Sequence, residues 1–240
     1  MSRNLHAAIP PRTAVGGGAN RLLAALPAVD YGRLLPELVQ RNVRPGEILQ
    51  RQGQPLDRVF FPQSGMCSLI KTLDNGHSVE VAMIGNEGMV GICAMLWDAT
   101  AIADGIVHAG GTVCELGLSI FQREMAHRSA FHAVMTRYAN AFFSMAAQSA
   151  ACNGLHSARQ RCCRWLLASG DRLQTDEIIV THERLSMLLG VRRPTATVLL
   201  RQLHSVGLIW LQRGKVKIVD RAVLASESCE CYEYEKRLLR

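Results

Sequence analysis

The sequence predicts an α+β chain of three successive parts: an N-terminal β-roll of jelly-roll type, a long helix, and a C-terminal winged helix-turn-helix. Three observations predict it. Between residues 44 and 118, short apolar runs alternate with turn signals such as Arg44-Pro45-Gly46-Glu47, Gly53-Gln54-Pro55 and Asp74-Asn75-Gly76. From about Ser119 to Gly154 no proline and no internal glycine interrupts a helical apolar spacing. Thr181 to Val219 then reads THERLSMLLGVRRPTATVLLRQLHSVGLIWLQRGKVKIV, two short helices, a turn and a basic hairpin.

In chain order, residues 1–30 are expected to form a mobile N-terminal arm, rich in Ala, Pro and Gly up to residue 19. From Asn20 the leucines at 22, 23 and 26, and again at 34, 35 and 38, suggest one or two short helices interrupted by prolines. Residues 31–125 hold the β-roll. Strands are expected at Ile48-Leu49, Val59-Phe60-Phe61, Met66–Leu73, His77–Ile84, Ile106–His108 and Thr112–Leu118, with a loop from about Asp98 to Gly105. Met66–Leu73 and His77–Ile84 make the clearest hairpin, because Asn75-Gly76 tolerates positive φ. In its second strand Val79, Val81 and Met83 alternate with Ser78, Glu80 and Ala82, which predicts one buried and one wet face.

Residues 126–153 are expected to be a dimerisation helix. Val134, Met135, Tyr138, Phe142 and Met145 recur at helical spacing, over a length greater than one small domain needs as a cap. Small residues such as Ala139, Ala146 and Ala150 permit close approach of a second copy.

Residues 154–240 form the winged unit. Thr181 suits the N-cap of a first helix, whose Leu185, Leu188 and Leu189 make one apolar face. Gly190 frees the turn, Pro194 fits the first turn of a second helix (about 194–205), and Leu199, Leu200 and Leu203 pack it onto the first. The outward side is then Arg192, Arg193, Thr195, Thr197, Val198, Arg201 and Gln202, with Arg213, Lys215 and Lys217 on the hairpin, which is the surface a helix needs to meet DNA.

The charge supports this reading. The net charge is +7, but residues 1–152 carry 12 Lys and Arg against 11 Asp and Glu, whereas residues 153–240 carry 15 against 9. The basic excess belongs to the part that would meet phosphates and release their counterions. The 240 residues suffice for two domains, each with its own core. No stretch reads as a membrane span or secretory signal. With eight cysteines and no C-x-x-C pair, the thiols are expected to stay reduced in the cytoplasm.

In this order of parts the chain resembles the Crp/Fnr family of bacterial transcription regulators, from about Leu34 to Val219. The resemblance rests on Arg44-Pro45-Gly46-Glu47-Ile48-Leu49, on Gly85-Asn86-Glu87-Gly88-Met89-Val90-Gly91, and most specifically on Leu185 to Thr195 (LSMLLGVRRPT). It implies a homodimer that reads double-stranded DNA at a pseudo-palindromic site. Its recognition helices would enter major grooves roughly 10 base pairs apart. It also implies that Arg192, Arg193, Thr195 and Val198 lie on the base-reading surface, with Arg193 suited to a bidentate contact to guanine. Many members carry Glu where this chain has Pro194 and Arg where it has Val198, so the sequence read should differ from the family's best-known site.

The expected effector pocket is degenerate. Members that bind cyclic nucleotides use a Gly-Glu and an Arg-Ser pair. Here Gly91 is followed by Ile92-Cys93, and Ala103-Asp104-Gly105 stands in the matching loop, where an Asp would repel a phosphate. Cyclic AMP is therefore not expected to bind, the small effector stays unidentified, and no cofactor is assigned. Activation would also need a surface for RNA polymerase, which no residue pattern marks.

Residues 1–66 contain no cysteine for an N-terminal iron–sulfur cluster, and Cys67, Cys93, Cys114 and Cys152 read as small buried hydrophobes. Cys162-Cys163 and Cys229-Glu230-Cys231 leave a redox or metal role open, but two thiols without a nearby His make an incomplete site, so no metal site is assigned. Two other functions compete with this reading. An enzyme on the β-roll lacks a nucleophile–base or metal constellation. A nonspecific architectural DNA binder differs from a regulator in giving uniform rather than dyad-symmetric protection.

Overall fold

The computed structural model describes residues 20–96, 99–127 and 129–239. At Asn20 the side-chain oxygen accepts the N–H groups of Leu22 and Leu23, at 3.0 and 3.3 Å, which starts helix α1 (Arg21–Ala24). Its amide donates to the carbonyls of Pro62 and Gly88, at 2.9 and 2.8 Å. Helix α2 (Ala28–Leu34) follows, and Leu22, Leu23 and Leu34 are buried in the β-roll core. This corrects the expected arm of 1–30: residues 20–30 are tied down by Asn20 and these leucines, while 1–19 lie outside the described residues.

Among the described residues the β-roll has seven strands: β1 (Val39–Val43), β2 (Ile48–Gln50), β3 (Arg58–Pro62), β4 (Met66–Thr72), β5 (Ser78–Ile84), β6 (Asp104–Ala109) and β7 (Gly111–Gly117). They form two antiparallel sheets, β1-β7-β3 and β2-β6-β4-β5, around a core that includes Val59, Phe61, Leu69, Ile84, Val107 and Leu116. The β4–β5 hairpin turns at Gly76, where φ is +80°, and the Asn75 side chain accepts the His77 N–H at 3.0 Å. The expected wet face of β5 is not wet. Ser78 to Val81 are all half-buried and Ala82 to Ile84 buried, because the C-terminal domain covers the side that Glu80 occupies. The loop expected to run to Gly105 ends sooner, since Asp104 and Gly105 already pair with β4 as part of β6; Asp98 lies outside the described residues.

The long helical stretch is two helices, α3 (Leu118–Ala126) and α4 (Ala130–Leu155), so the helix expected at 126–153 begins later and runs further. Val134, Met135, Tyr138, Phe142 and Met145 do share one face, but that face is buried on this chain's own β-roll. This corrects their assignment to a dimer interface. The Tyr138 hydroxyl donates to the Met89 carbonyl at 3.1 Å and lies so close to Gly88 that a Cβ there would meet it at 2.6 Å.

The C-terminal domain runs through α5 (Ala158–Leu173), β8 (Glu177–Ile179), α6 (His182–Leu189), α7 (Arg193–Ser205), β9 (Ile209–Gln212), β10 (Lys215–Ile218), α8 (Arg221–Ser226) and α9 (Cys231–Leu238). A capping box at Ser157 and Gln160 starts α5, and the sheet order is β8-β10-β9. Its core includes Trp165, Leu185, Leu188, Leu200, Leu203 and Ile218, and it is continuous with Met66, Ile70 and Met83 of the β-roll. The polar part of this junction is ionic. The Trp165 indole donates to Glu80 at 3.0 Å, and Arg172 bridges Glu87 of the β-roll, at 2.7 Å, to Glu235 of α9, at 2.6 Å.

Candidate nucleic-acid interface

The hydroxyl of Thr181 accepts the Arg184 N–H at 3.1 Å and starts α6, which buries Leu185, Leu188 and Leu189. Gly190 ends the helix at φ +62°, and the Val191 N–H reaches back to the Ser186 carbonyl at 2.9 Å, a left-handed cap that few side chains tolerate. Helix α7 leaves this turn with Pro194 in its first turn, and its Ala196, Leu199, Leu200 and Leu203 are buried. Arg192 at the N-cap makes no side-chain capping bond, so the first-turn N–H groups of Arg193 and Thr195 remain open to an anion.

Around this end the structure exposes Arg192, Arg193, Thr195, Val198, Arg201 and Gln202 together. Three other expected contacts are already engaged within the chain. Thr181 serves as the cap just described. Thr197 is half-buried, its hydroxyl 3.0 Å from His182 Nδ1, so it fastens α7 to α6 instead of facing outward. Lys215 is half-buried and paired with Glu177, whose carboxyl it holds below the usual range by hydrogen bonding. Arg193 Nε lies 3.4 Å from Glu183 on α6, with both side chains mostly in water, so this pair can open at little cost.

The wing is the β9–β10 hairpin, in register Lys215 to Gln212 and Lys217 to Trp210, with Gly214 at φ +73° in its turn. Arg213 and Lys217 are exposed on it. Sequence reading passed over Trp210, which is half exposed and stands edge-on to His204 at 5.2 Å; its place in an alternating strand was legible, its exposure was not.

The segments expected to line an effector pocket lie against the β-roll core. Gly91 is left-handed, and a Cβ there would meet Val59 at 3.0 Å; Ile92, Cys93 and Ala103 are buried core residues. Asp104 accepts the Gln52 N–H at 2.7 Å. Gln50 donates to the Ala103 carbonyl at 2.8 Å, and its side chain and Val90 crowd Gly105. Among the thiols, burial pushes Cys67 up to about 12 and Cys163 up to about 11, and raises Cys162 further, as expected of inert core residues. Cys152 departs from that expectation. It meets Cys229 and Cys231 at the end of α4, and His156 Nδ1 lies 3.5 Å from the Cys231 sulfur, so the C-x-C pair does have a histidine beside it.

A β-roll packed on a long helix, followed by a helix-turn-helix with an exposed basic reading end and a wing, defines a two-domain DNA-binding regulator. The comparisons with known proteins agree. A family model described as cyclic nucleotide-binding domain matches residues 40–128, and one described as Crp-like helix-turn-helix domain matches residues 160–227, together well over half of the chain. The chain belongs to the Crp/Fnr family of transcription regulators. Among solved structures, a Crp/Fnr-family transcriptional regulator from Eubacterium rectale superposes with a TM-score of 0.68 at 20% identity, covering 84% of this chain and 94% of its own. FixK2 from Bradyrhizobium japonicum gives 0.69 at 16% identity, over 80% and 98%. The c-di-GMP responsive regulator CLP of Xanthomonas campestris gives 0.66 at 17%, over 81% and 100%. No curated protein matches significantly. Among the described residues no helix is long and apolar enough to cross a membrane.

Proposed function

We propose that the chain works as a homodimeric, sequence-specific regulator in the cytoplasm, where α7 enters the major groove and the wing lies on the flanking phosphates. The observation that carries this is the exposed N-terminal end of α7, where Arg192, Arg193 and Thr195 surround uncapped N–H groups while Arg201 and Gln202 continue the same surface. Arg193 takes guanine O6 and N7, and Val198, 51% exposed, offers an apolar contact to a thymine methyl. Arg213 and Lys217 hold phosphates. The degenerate pocket argues against cyclic AMP as effector, because the Asp104 carboxylate already accepts the Gln52 N–H and would face the phosphate as a like charge.

For the homodimer we propose a seam on the exposed face of α4, opposite the buried face that the spacing suggests. Thr136, Asn140, Phe143, Ala147, Ala150 and Gly154 are all exposed and follow the alternating three- and four-residue spacing of a helix–helix seam. Phe143, a large apolar side chain 60% exposed, is its natural centre. Footprinting on random-selected DNA tests the function: protection of one dyad-symmetric sequence, lost when either half is scrambled, is expected. Uniform coverage would instead mean a nonspecific binder.

A further inference from the structure

The three thiols at the end of α4 are gathered with a histidine in a way that core packing does not require. Cys152 and His156 stand one helical turn apart at the C-terminal end of α4, while Cys229 and Cys231 flank the start of α9. The four ligating atoms all lie within 4.8 Å of one another. The Cys152 and Cys229 sulfurs are 3.6 Å apart, and the Cys231 sulfur is 3.5 Å from His156 Nδ1. A tetrahedral zinc ion with the usual bond lengths of about 2.3 Å to sulfur and about 2.0 Å to nitrogen separates two thiolates by roughly 3.8 Å and a thiolate from an imidazole by roughly 3.6 Å. The spacing thus suits a small tetrahedral cation. It does not describe a disulfide, whose sulfurs are bonded at about 2.0 Å.

We propose that Cys152, His156, Cys229 and Cys231 form a structural site for zinc or a similarly soft divalent cation, fastening α9 to the end of α4. The surrounding groups are those that a ligand set of this kind needs. His156 Nε2 lies 3.3 Å from the Glu230 carboxylate, which fixes the tautomer that leaves Nδ1 free to bind metal. Gln148 donates to the Cys231 sulfur at 3.0 Å, and three thiolates around a divalent ion leave one net negative charge, near which Arg164 lines the same small cavity as Cys231. Loading the site converts three thiols to thiolates and releases their protons to solvent, with no change of oxidation state. No other thiol belongs to it, since Cys67, Cys93, Cys114, Cys162 and Cys163 lie elsewhere in the fold.

The consequence is structural. Glu235 of α9 bonds to both Arg164 and Arg172, at 3.2 and 2.6 Å, and Arg172 reaches the β-roll through Glu87. A cation that fixes the start of α9 therefore steadies the junction between the two domains.

The test begins with the unaltered full chain, stripped by chelator under reducing conditions and titrated with cobalt(II). One equivalent per chain, with the intense d–d and thiolate charge-transfer bands of a tetrahedral site and displacement by zinc(II), is expected. Weak octahedral bands, or no uptake by reduced protein, would overturn the proposal. Metal analysis of the purified C229S/C231S double variant should show the bound metal lost, while C114S retains it. A double variant that keeps full occupancy also overturns it, and the titration of the unaltered chain stands even if that variant misfolds. A Cys152–Cys229 disulfide that forms readily in the presence of zinc would count against the site as well.

Discussion

Arg193 has two partners to choose between. In the free chain its guanidinium rests 3.4 Å from Glu183, but both groups are mostly exposed, so the pair is worth little and yields to a guanine fork. Arg193→Ala should therefore cost about 1–3 kcal/mol of binding at one base position per half-site and relax discrimination there. Glu183→Gln should mildly strengthen binding to every sequence, because it removes a negative charge beside the phosphates. Fluorescence anisotropy on a panel of single-base substitutions checks both, and an Arg193→Ala loss spread evenly over all positions would mean that it touches phosphate only. The wing divides similarly. Arg213→Ala should weaken binding to all DNA and lower the salt slope by about 1, whereas Lys215→Ala should do less, since Lys215 already spends its charge on Glu177. Comparing log–log salt plots for the two variants decides it. These residues were legible because a reading helix needs its charges outside and its leucines inside. That Thr197 and Lys215 turn to His182 and Glu177 was not, because both partnerships are tertiary.

At the scale of elements, α4 shows what a periodicity can and cannot say. Val134, Met135, Tyr138, Phe142 and Met145 mark a face that must be covered, but spacing does not name the cover, and it proves to be the chain's own β-roll. The opposite face carries Phe143 between small residues, and the two faces predict different failures. Phe143→Glu should leave the fold and thermal stability nearly unchanged, yield a monomer by light scattering, and lower DNA affinity more than about tenfold, since each half-site must then be held alone. Met135→Ala should instead cost about 2–5 kcal/mol of stability, with assembly retained in the folded fraction. The reverse pattern would return the interface to the buried face. Other elements were hidden for local reasons. In β1, Val39 to Val43 reads Val-Gln-Arg-Asn-Val and buries only Val43, so its pairing with β7, not its own pattern, makes it a strand. The break between α3 and α4 has no proline or glycine to announce it. The cluster at Cys152 joins positions 77 residues apart, a closeness that only the packing of α9 on α4 creates.

Across the whole molecule the two domains are joined by a buried junction whose ionisable groups make it sensitive to pH. Glu80, on β5, accepts the Trp165 indole N–H. Burial pushes its carboxyl from 4.5 up to about 7, although Ser68, Arg164 and Arg172 oppose the shift and Glu235 adds to it. Nearby His108, edge-on to Trp165 at 5.1 Å, is driven down to about 4 by burial, with Arg184 adding to the effect, and so stays neutral through the same range. Because the folded chain holds the Glu80 proton more tightly than the unfolded chain does, this group's contribution is complete below about pH 4.5 and is lost as pH rises through about 7. The shift corresponds to an upper bound of about 3 kcal/mol. Glu80→Gln keeps an oxygen for Trp165 and cannot ionise. Its melting temperature should match that of the unaltered chain near pH 4 and exceed it at pH 8, with the two curves parting between about 4.5 and about 7 and running parallel above that. A constant offset across that range would mean that Glu80 is held charged in the junction by Arg164 and Arg172. In that case lowering the pH should loosen the contact between the reading domain and the β-roll, the reverse of the direction argued here.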